Sequence, residues 1–410
     1  MHWKLNKNVL FIAVIFIPCV VPATLLEVGD TKLLFNTWRV AAFIFIIAYM
    51  INKRQRITCT IVFSSLFSAN LLLVTWRNGG NIKSATSIAL MMFTIIALSE
   101  IGMTSLCCAK HYFSAISPIC FFILLVDTAQ ILTGVGYSEI NSGSWLGGDN
   151  FAVFTVIPML GIILLGDYLI YGKVRRVTKL LFCLTMLAKF KTAATTSMIA
   201  FVTCVVLFWG FEYIKFSKNS RQILILLSVA LIIWLCWDFT DIFVTVAELL
   251  GKNNVLEHGR IVIWKMSLDA ILNEPILGHG VMYVYDETVA IAGTYWPTCS
   301  HTHNYILELL FRGGMVGTLF YFLSMKDCFT FIIKEKISSK GIIILKGILA
   351  ANFVLWISDS YYAQAPFYVL IVLCSHMKIL KQYSYNEDTD SYGNKLRCVK
   401  IFKRSGVHTG

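Results

Sequence analysis

The sequence predicts an all-α polytopic membrane protein of about 12 transmembrane helices with one large helical extracytoplasmic loop. Three observations predict it. Of 410 residues, 57% are hydrophobic and only 14% charged, where ordinary soluble domains carry about 25% charged residues. The apolar residues gather into roughly a dozen runs, each near the ~20 residues that cross a bilayer core as a helix. Lys and Arg collect in alternate gaps between those runs, as they do on the inner side of membrane proteins.

In chain order the expected spans are 8–26, 34–52, 59–76, 84–107, 113–134, 151–171, 176–190, 192–214, 222–240, 315–333, 341–358 and 362–380. The first is long and has no small-residue cleavage site followed by polar sequence, so it reads as a span rather than a leader. The run at 176–190 is the shortest. The resulting organisation is 1–240 for helices one to nine, 241–314 for the loop, 315–380 for the last three helices and 381–410 for a basic tail. The tail contains Asp388-Thr389-Asp390, a pattern seen at metal–nucleotide-sugar sites, but in a polar tail a short motif of this kind is weak.

With both termini inside, 23 of the 35 Lys and Arg fall in inner segments. The outer segments hold Lys32, Arg77, Lys83, Lys189, Lys191, Lys252, Arg260 and Lys265. The termini are therefore expected in the cytoplasm and the 241–314 loop outside. The net charge of +12 then reflects topology and attraction to anionic membrane lipid, not nucleic acid. Twelve cysteines are scattered without CxxC or Cys/His spacing, so neither a disulfide scaffold nor a zinc site is expected. There is no Walker A or GxGxxG sequence; no cofactor and no metal are expected.

Within the loop, Ile261, Trp264, Leu268 and Ile271 recur at helical spacing and predict one apolar face. Asn273-Glu274-Pro275 ends that helix, because proline disfavours helical geometry in the preceding residue. Gly278-His279-Gly280 predicts a tight turn. A second helix is expected to start near Thr302 to Asn304, followed by Leu307 and Leu310, and Gly313-Gly314 with Gly317 marks the way into the next span.

Candidate chemistry sits at the two ends of this loop. Arg260 is a permanent cation whose planar fork matches phosphate oxygens. A lone arginine is usually solvated or snorkelling; the scarcity of outward cations singles this one out. His303 can exchange protons near neutrality, against the plainer reading of a capping or interfacial histidine. His301 ranks second, because two residues away in a helix it would point elsewhere. Lys189 and Lys191 flank Phe190 between two spans, where ionisable groups are costly and tend to have a role or a partner. Arg39, Glu100, Asp127, Asp167 and Lys346 are further charges in or near spans, without partners assignable from sequence. The Trp and Tyr residues read first as interface belts, with Trp145, Trp264 and Trp296 able to stack on sugars.

At these residues the chain resembles the O-antigen ligase and polymerase family of bacterial envelope glycosyltransferases. The likeness runs through Arg260-Ile261-Val262-Ile263-Trp264, Glu274-Pro275-Ile276-Leu277-Gly278-His279-Gly280, His303-Asn304-Tyr305-Ile306-Leu307-Glu308-Leu309 and Gly313-Gly314-Met315-Val316-Gly317. Gly147-Gly148-Asp149-Asn150-Phe151-Ala152 is similar to a Gly-x-Pro-Asn-x-x-Ala stretch of the family, with Asp149 where Pro is usual. Phe190-Lys191-Thr192-Ala193 stands where the family commonly has Ser-Arg; Lys191 keeps the charge and not the fork.

The resemblance implies a metal-independent inverting glycosyltransferase in the bacterial inner membrane, with the large loop on its outer, periplasmic face. The donor would be an undecaprenyl-pyrophosphate-linked glycan. The acceptor would be a second lipid-linked glycan in a polymerase, as in O-antigen, capsule or exopolysaccharide synthesis, or lipid A-core in a ligase. Arg260 and His303 would be catalytic, with Lys191, Lys189, Trp264, Asn304, His301 and Asn150 binding substrate. A chain-length regulator and a flippase are the expected protein partners. The alternative of another class is a lipid-linked oligosaccharide flippase or transporter, which usually places charge and broken helices at the bilayer midplane.

Overall fold

A computed structural model describes residues 7–27, 29–135, 143–192, 198, 200–206, 260–284, 289–291, 294–296, 299, 301–335, 339–358, 360 and 364–381. Most of the expected spans at 192–214 and 222–240, the loop residues 241–259 and the tail from 382 lie outside the described residues.

The described chain is helical apart from two small hairpins. In order, the elements are α1 (Lys7–Phe16), a 3-10 turn (Ile17–Cys19), α2 (Ala23–Glu27), α3 (Gly29–Asn52), α4 (Cys59–Arg77), α5 (Ile82–Gly102) and α6 (Leu106–Thr133). A hairpin of β1 (Gly143–Ser144) and β2 (Gly147–Gly148) leads into α7 (Asp149–Tyr171) and α8 (Arg176–Lys191). Then come α9 (Arg260–Asn273), a hairpin of β3 (Val289–Ile291) and β4 (Thr294–Trp296), α10 (Tyr305–Ser324), α11 (Lys326–Lys334), α12 (Lys340–Ser358) and α13 (Ala365–Ser375).

Among the described residues six helices are long and apolar enough to cross a membrane: α3, α4, α5, α6, Ala152–Tyr171 of α7, and α10. Twelve spans are not shown. The expected first span is broken, since Pro18 and Pro22 interrupt 8–26 and leave a ten-residue α1. α8 has 16 residues and α13 has 11, about 24 and 17 Å of helix against a core of about 30 Å.

α10 departs furthest from a simple span. At Gly314 the backbone turns to φ 59, ψ −166, a conformation essentially restricted to glycine. The consequence is a sharp bend. Tyr305 and Tyr321 are sixteen residues apart, yet their rings lie 5.9 Å apart and their hydroxyls are hydrogen-bonded. A straight helix would separate them by about 24 Å along its axis. The expected span 315–333 thus corresponds to the second arm of α10 followed by α11, with the first arm from Tyr305 folded back upon it.

Lipid tails are as apolar as leucine, so close approach and polar contacts hold membrane helices together. Gly166 of α7 lets Ser117 of α6 reach the Ile162 carbonyl at 3.2 Å; a Cβ on Gly166 would collide with the Ser117 hydroxyl. α4 runs antiparallel to the second arm of α10, with Phe67 edge-on to Tyr321 at 5.2 Å and Asn70 Nδ2 donating to Gly313 O at 3.0 Å.

The charges inside this assembly acquire partners that the sequence does not disclose. Arg39 donates to Pro18 O at 2.7 Å and to Ser87 Oγ at 2.9 Å. Glu100 accepts from Thr58 Oγ1 and meets His376 Nε2, both at 2.8 Å. Asp167 accepts from Arg175 Nε at 2.7 Å and from Thr178 Oγ1 at 2.6 Å. Lys346 donates to the carbonyls of Ile332 and Glu335 at 3.1 and 2.6 Å, closing the end of α11.

Candidate active site

α9 starts at Arg260 and ends at Asn273, just before Glu274-Pro275 as expected. The Arg260 side chain lies outside the described residues. The buried face is Ile263, Trp264, Ser267 and Ile271, whereas Leu268 is 46% exposed. Of the expected face Ile261, Trp264, Leu268 and Ile271, the structure buries Trp264 and Ile271 and corrects Leu268; the Ile261 side chain lies outside the described residues. Ser267 turns inward because its hydroxyl is satisfied by the Ile263 carbonyl at 2.6 Å, which leaves Leu268 outside. Trp264 packs inward with this face, so its ring is not presented as an open platform.

Beyond α9, residues 275–280 knit together the two arms of α10. A broken helix leaves carbonyls unpaired on one side and N–H groups on the other, and this segment supplies both. His279 N and Gly280 N donate to Phe311 O and Arg312 O at 2.7 and 2.9 Å. Met315 N and Val316 N donate to Pro275 O and Ile276 O at 2.9 and 3.1 Å. Gly278 and Gly314 are the two points of contact, and a side chain on either would collide with the other strand of backbone. The same segment is anchored to α4: Asn78 Nδ2 donates to the Gly278 and His279 carbonyls at 3.3 and 3.2 Å. His279 Nε2 donates to Ala270 O at 2.7 Å and its ring stacks on Phe311.

The turn before α10 carries the two candidate histidines. Asn304 is the N-cap, its side-chain oxygen accepting from Ile306 N at 3.0 Å and Leu307 N at 3.1 Å. The helix therefore begins one residue after Asn304, and both histidines precede it. Because helical spacing does not apply there, His301 does not point away: the two imidazoles face each other with centroids 4.1 Å apart. His303 itself has φ 51, a left-handed backbone that costs a residue with a side chain about 1–3 kcal/mol. The turn holds it there. Thr302 Oγ1 donates to Asn304 O at 2.7 Å, and Thr302 N donates to Glu308 Oε2 at 2.8 Å. Glu308 also pairs with Arg312, whose Nη1 reaches Gly280 O at 3.4 Å.

Lys189 and Lys191 lie at the end of α8. The Lys189 side chain is wholly buried, 3.4 Å from the equally buried Asp127 carboxylate; Asp127 also accepts from Leu146 N at 3.1 Å. Lys191 Nζ donates to Ile131 O and Leu132 O at 3.0 and 3.1 Å, where the last carbonyls of α6 concentrate negative partial charge. Asn150 is in the first turn of α7, and its side chain lies outside the described residues. Antiparallel packing of α7 on α12, with Tyr168 against Gly341 and Gly161 against Ile348, sends the start of α7 toward the end of α12. There Trp356 stacks on Tyr305 at 4.2 Å. The lysines, Asn150 and the histidine turn thus share one end of the helical assembly.

Residues 178–322 match the family model described as O-antigen ligase. Over those residues the chain is similar to the O-antigen ligase domain. No curated protein matches it. The family implies a glycan-transferring enzyme acting on lipid-linked glycans, and a multi-pass membrane protein of bacterial envelope biosynthesis. The match takes in Lys189, Lys191, Arg260, Trp264, His301, His303 and Asn304 and leaves out Asn150. Sequence reading passes through Glu308 in the resemblance without giving it a role, and does not reach Arg312, Asn70 or Asn78. Glu308 and Arg312 carry a signal in hindsight, opposite charges four residues apart in an otherwise apolar run; Asn70 in α4 and Asn78 just past its end carry none.

Proposed function

We propose that the chain is a polysaccharide polymerase that transfers an undecaprenyl-pyrophosphate-linked glycan to the terminal sugar of a second lipid-linked glycan, on the outer face of the bacterial inner membrane. The observation that carries the glycan-transfer reading, common to polymerase and ligase, is the histidine turn within the O-antigen ligase match: His303 is held left-handed by Thr302 and the Asn304 cap. Strain fixed by its surroundings is characteristic of working sites. The excess of Lys and Arg in alternate segments supports placing this end outward.

In the reaction an acceptor hydroxyl attacks the anomeric carbon from the face opposite the diphosphate. The new C–O bond forms as the bond to the diphosphate oxygen breaks, inverting the centre, and undecaprenyl diphosphate departs with the electron pair. His303 takes the hydroxyl proton, a contribution of about 10²–10⁴ in rate for general bases. Arg260 and Lys191 meet the charge that develops on the leaving diphosphate; preorganised cations lower such a barrier.

A ligase differs only in its acceptor, lipid A-core, and the wording of the family match favours keeping it as the second reading. The test replaces the native gene with His303→Ala or Arg260→Ala and separates surface glycan by size. A polymerase leaves a single repeat, and a ligase leaves bare core with accumulated lipid-linked polymer. Trapping of the lipid-linked unit on the inner face would instead indicate a flippase. Normal long-chain glycan from both variants, at normal protein levels, refutes the catalytic roles.

A further inference from the structure

We infer that Glu308 is a positioning residue for this transfer: its carboxylate fixes the backbone of the His301–His303 turn, and Arg312 keeps that carboxylate aimed. The inference rests on the glycan-transfer reading for what activity means and on geometry for the rest. One Glu308 oxygen accepts from Thr302 N at 2.8 Å and the other from Arg312 Nε. The same guanidinium reaches the carbonyls of Gly280 and Met282 at 3.4 and 3.5 Å. The side chains of Glu308 and Arg312 are 2% and 8% exposed.

A buried ion pair is a poor source of stability, since well-packed apolar residues often do as well. Here it does something apolar residues cannot. It joins the turn bearing the histidines, the first arm of α10 and the glycine segment that caps the bend. His303 sits next to the residue so held, in a backbone conformation it would otherwise leave.

The hydrogen-bond arithmetic gives a test. Glutamine at this position offers one carbonyl oxygen to two donors, Thr302 N–H and Arg312 Nε–H, and turns an NH₂ on whichever is left over. Removing the competing donors returns that oxygen to Thr302. Glu308→Gln should therefore be impaired, and Glu308→Gln combined with Arg312→Met should recover, whereas two independent structural losses would add.

Purified variants are reconstituted with inner-membrane vesicles from the host lacking this gene, whose own accumulated lipid-linked glycan is the donor. Glu308→Gln is expected to lower kcat at least ~10-fold with KM within ~2-fold, and the double variant to regain at least ~3-fold of kcat. Glu308→Asp retains the ion pair and hence the fold, but is one methylene short of Thr302 N–H; it should be as slow as Glu308→Gln. Wild-type turnover by Glu308→Gln or Glu308→Asp overturns the inference, as does a double variant slower than the single. His303→Ala in the same vesicles separates the two ideas. If it turns over like wild type, the transfer reading of the turn fails whatever the Glu308 variants do.

Discussion

The bend of α10 and the end of α8 solve opposite problems with different materials. At the bend, the main difficulty is unpaired backbone, and other backbone resolves it: Pro275 to Gly280 donates to one broken end and accepts from the other. At the end of α8 the difficulty is charge, and it is neutralised in place by Asp127 and by the last carbonyls of α6. The comparison teaches where each region can tolerate change. The bend depends on the absence of side chains, whereas the α8 end depends on a matched pair that another matched pair could replace.

The largest expected effect is at the bend. Gly314→Ala places a Cβ against the Ile276 carbonyl in a backbone conformation alanine avoids. It should cost more than about 3 kcal/mol, read as loss of monodisperse protein in detergent. Wild-type melting would show that the bend is not fixed as described. Next comes Lys189→Met, which leaves the Asp127 carboxylate buried without its cation and should destabilise by about 3–5 kcal/mol. Adding Asp127→Asn keeps an acceptor for Leu146 N and should recover most of that loss in a thermal melt; failure to recover would deny that the pair is replaceable.

Asn304→Ala removes a helix cap, with an expected cost of about 1 kcal/mol. It should also reduce glycan transfer more than its melting temperature suggests, since the cap adjoins His303. Proportionate loss of both would make Asn304 a purely structural residue. The smallest effect belongs to Leu268→Ser on the exposed side of α9, expected within about 0.5 kcal/mol of wild type. A larger loss of stability would restore Leu268 to the buried face.

Much of the site was legible because its signals are local. Asn273-Glu274-Pro275 ends α9, Asn304 caps α10, and Gly278 and Gly280 both take positive φ. What was not legible depends on distant partners or on where a periodicity stops. Asp127 lies far along the chain from Lys189, and Asn70 is 243 residues from Gly313, so no window on the sequence pairs them. Helical spacing points His301 away from His303, but both precede the helix, where that spacing does not apply. The Ser267 and Leu268 exchange arises because an apolar count ignores a hydroxyl that its own helix can satisfy. The first expected span, 8–26, is broken for a nameable reason, the prolines at 18 and 22.

The central claim is that the His303 turn performs glycan transfer, and bond-level stoichiometry tests it most directly. Purified protein reconstituted with its native lipid-linked glycan should release one undecaprenyl diphosphate for each glycosidic bond made, and His303→Ala should release almost none while still retaining donor. Undiminished diphosphate release and bond formation by the His303→Ala protein would contradict it.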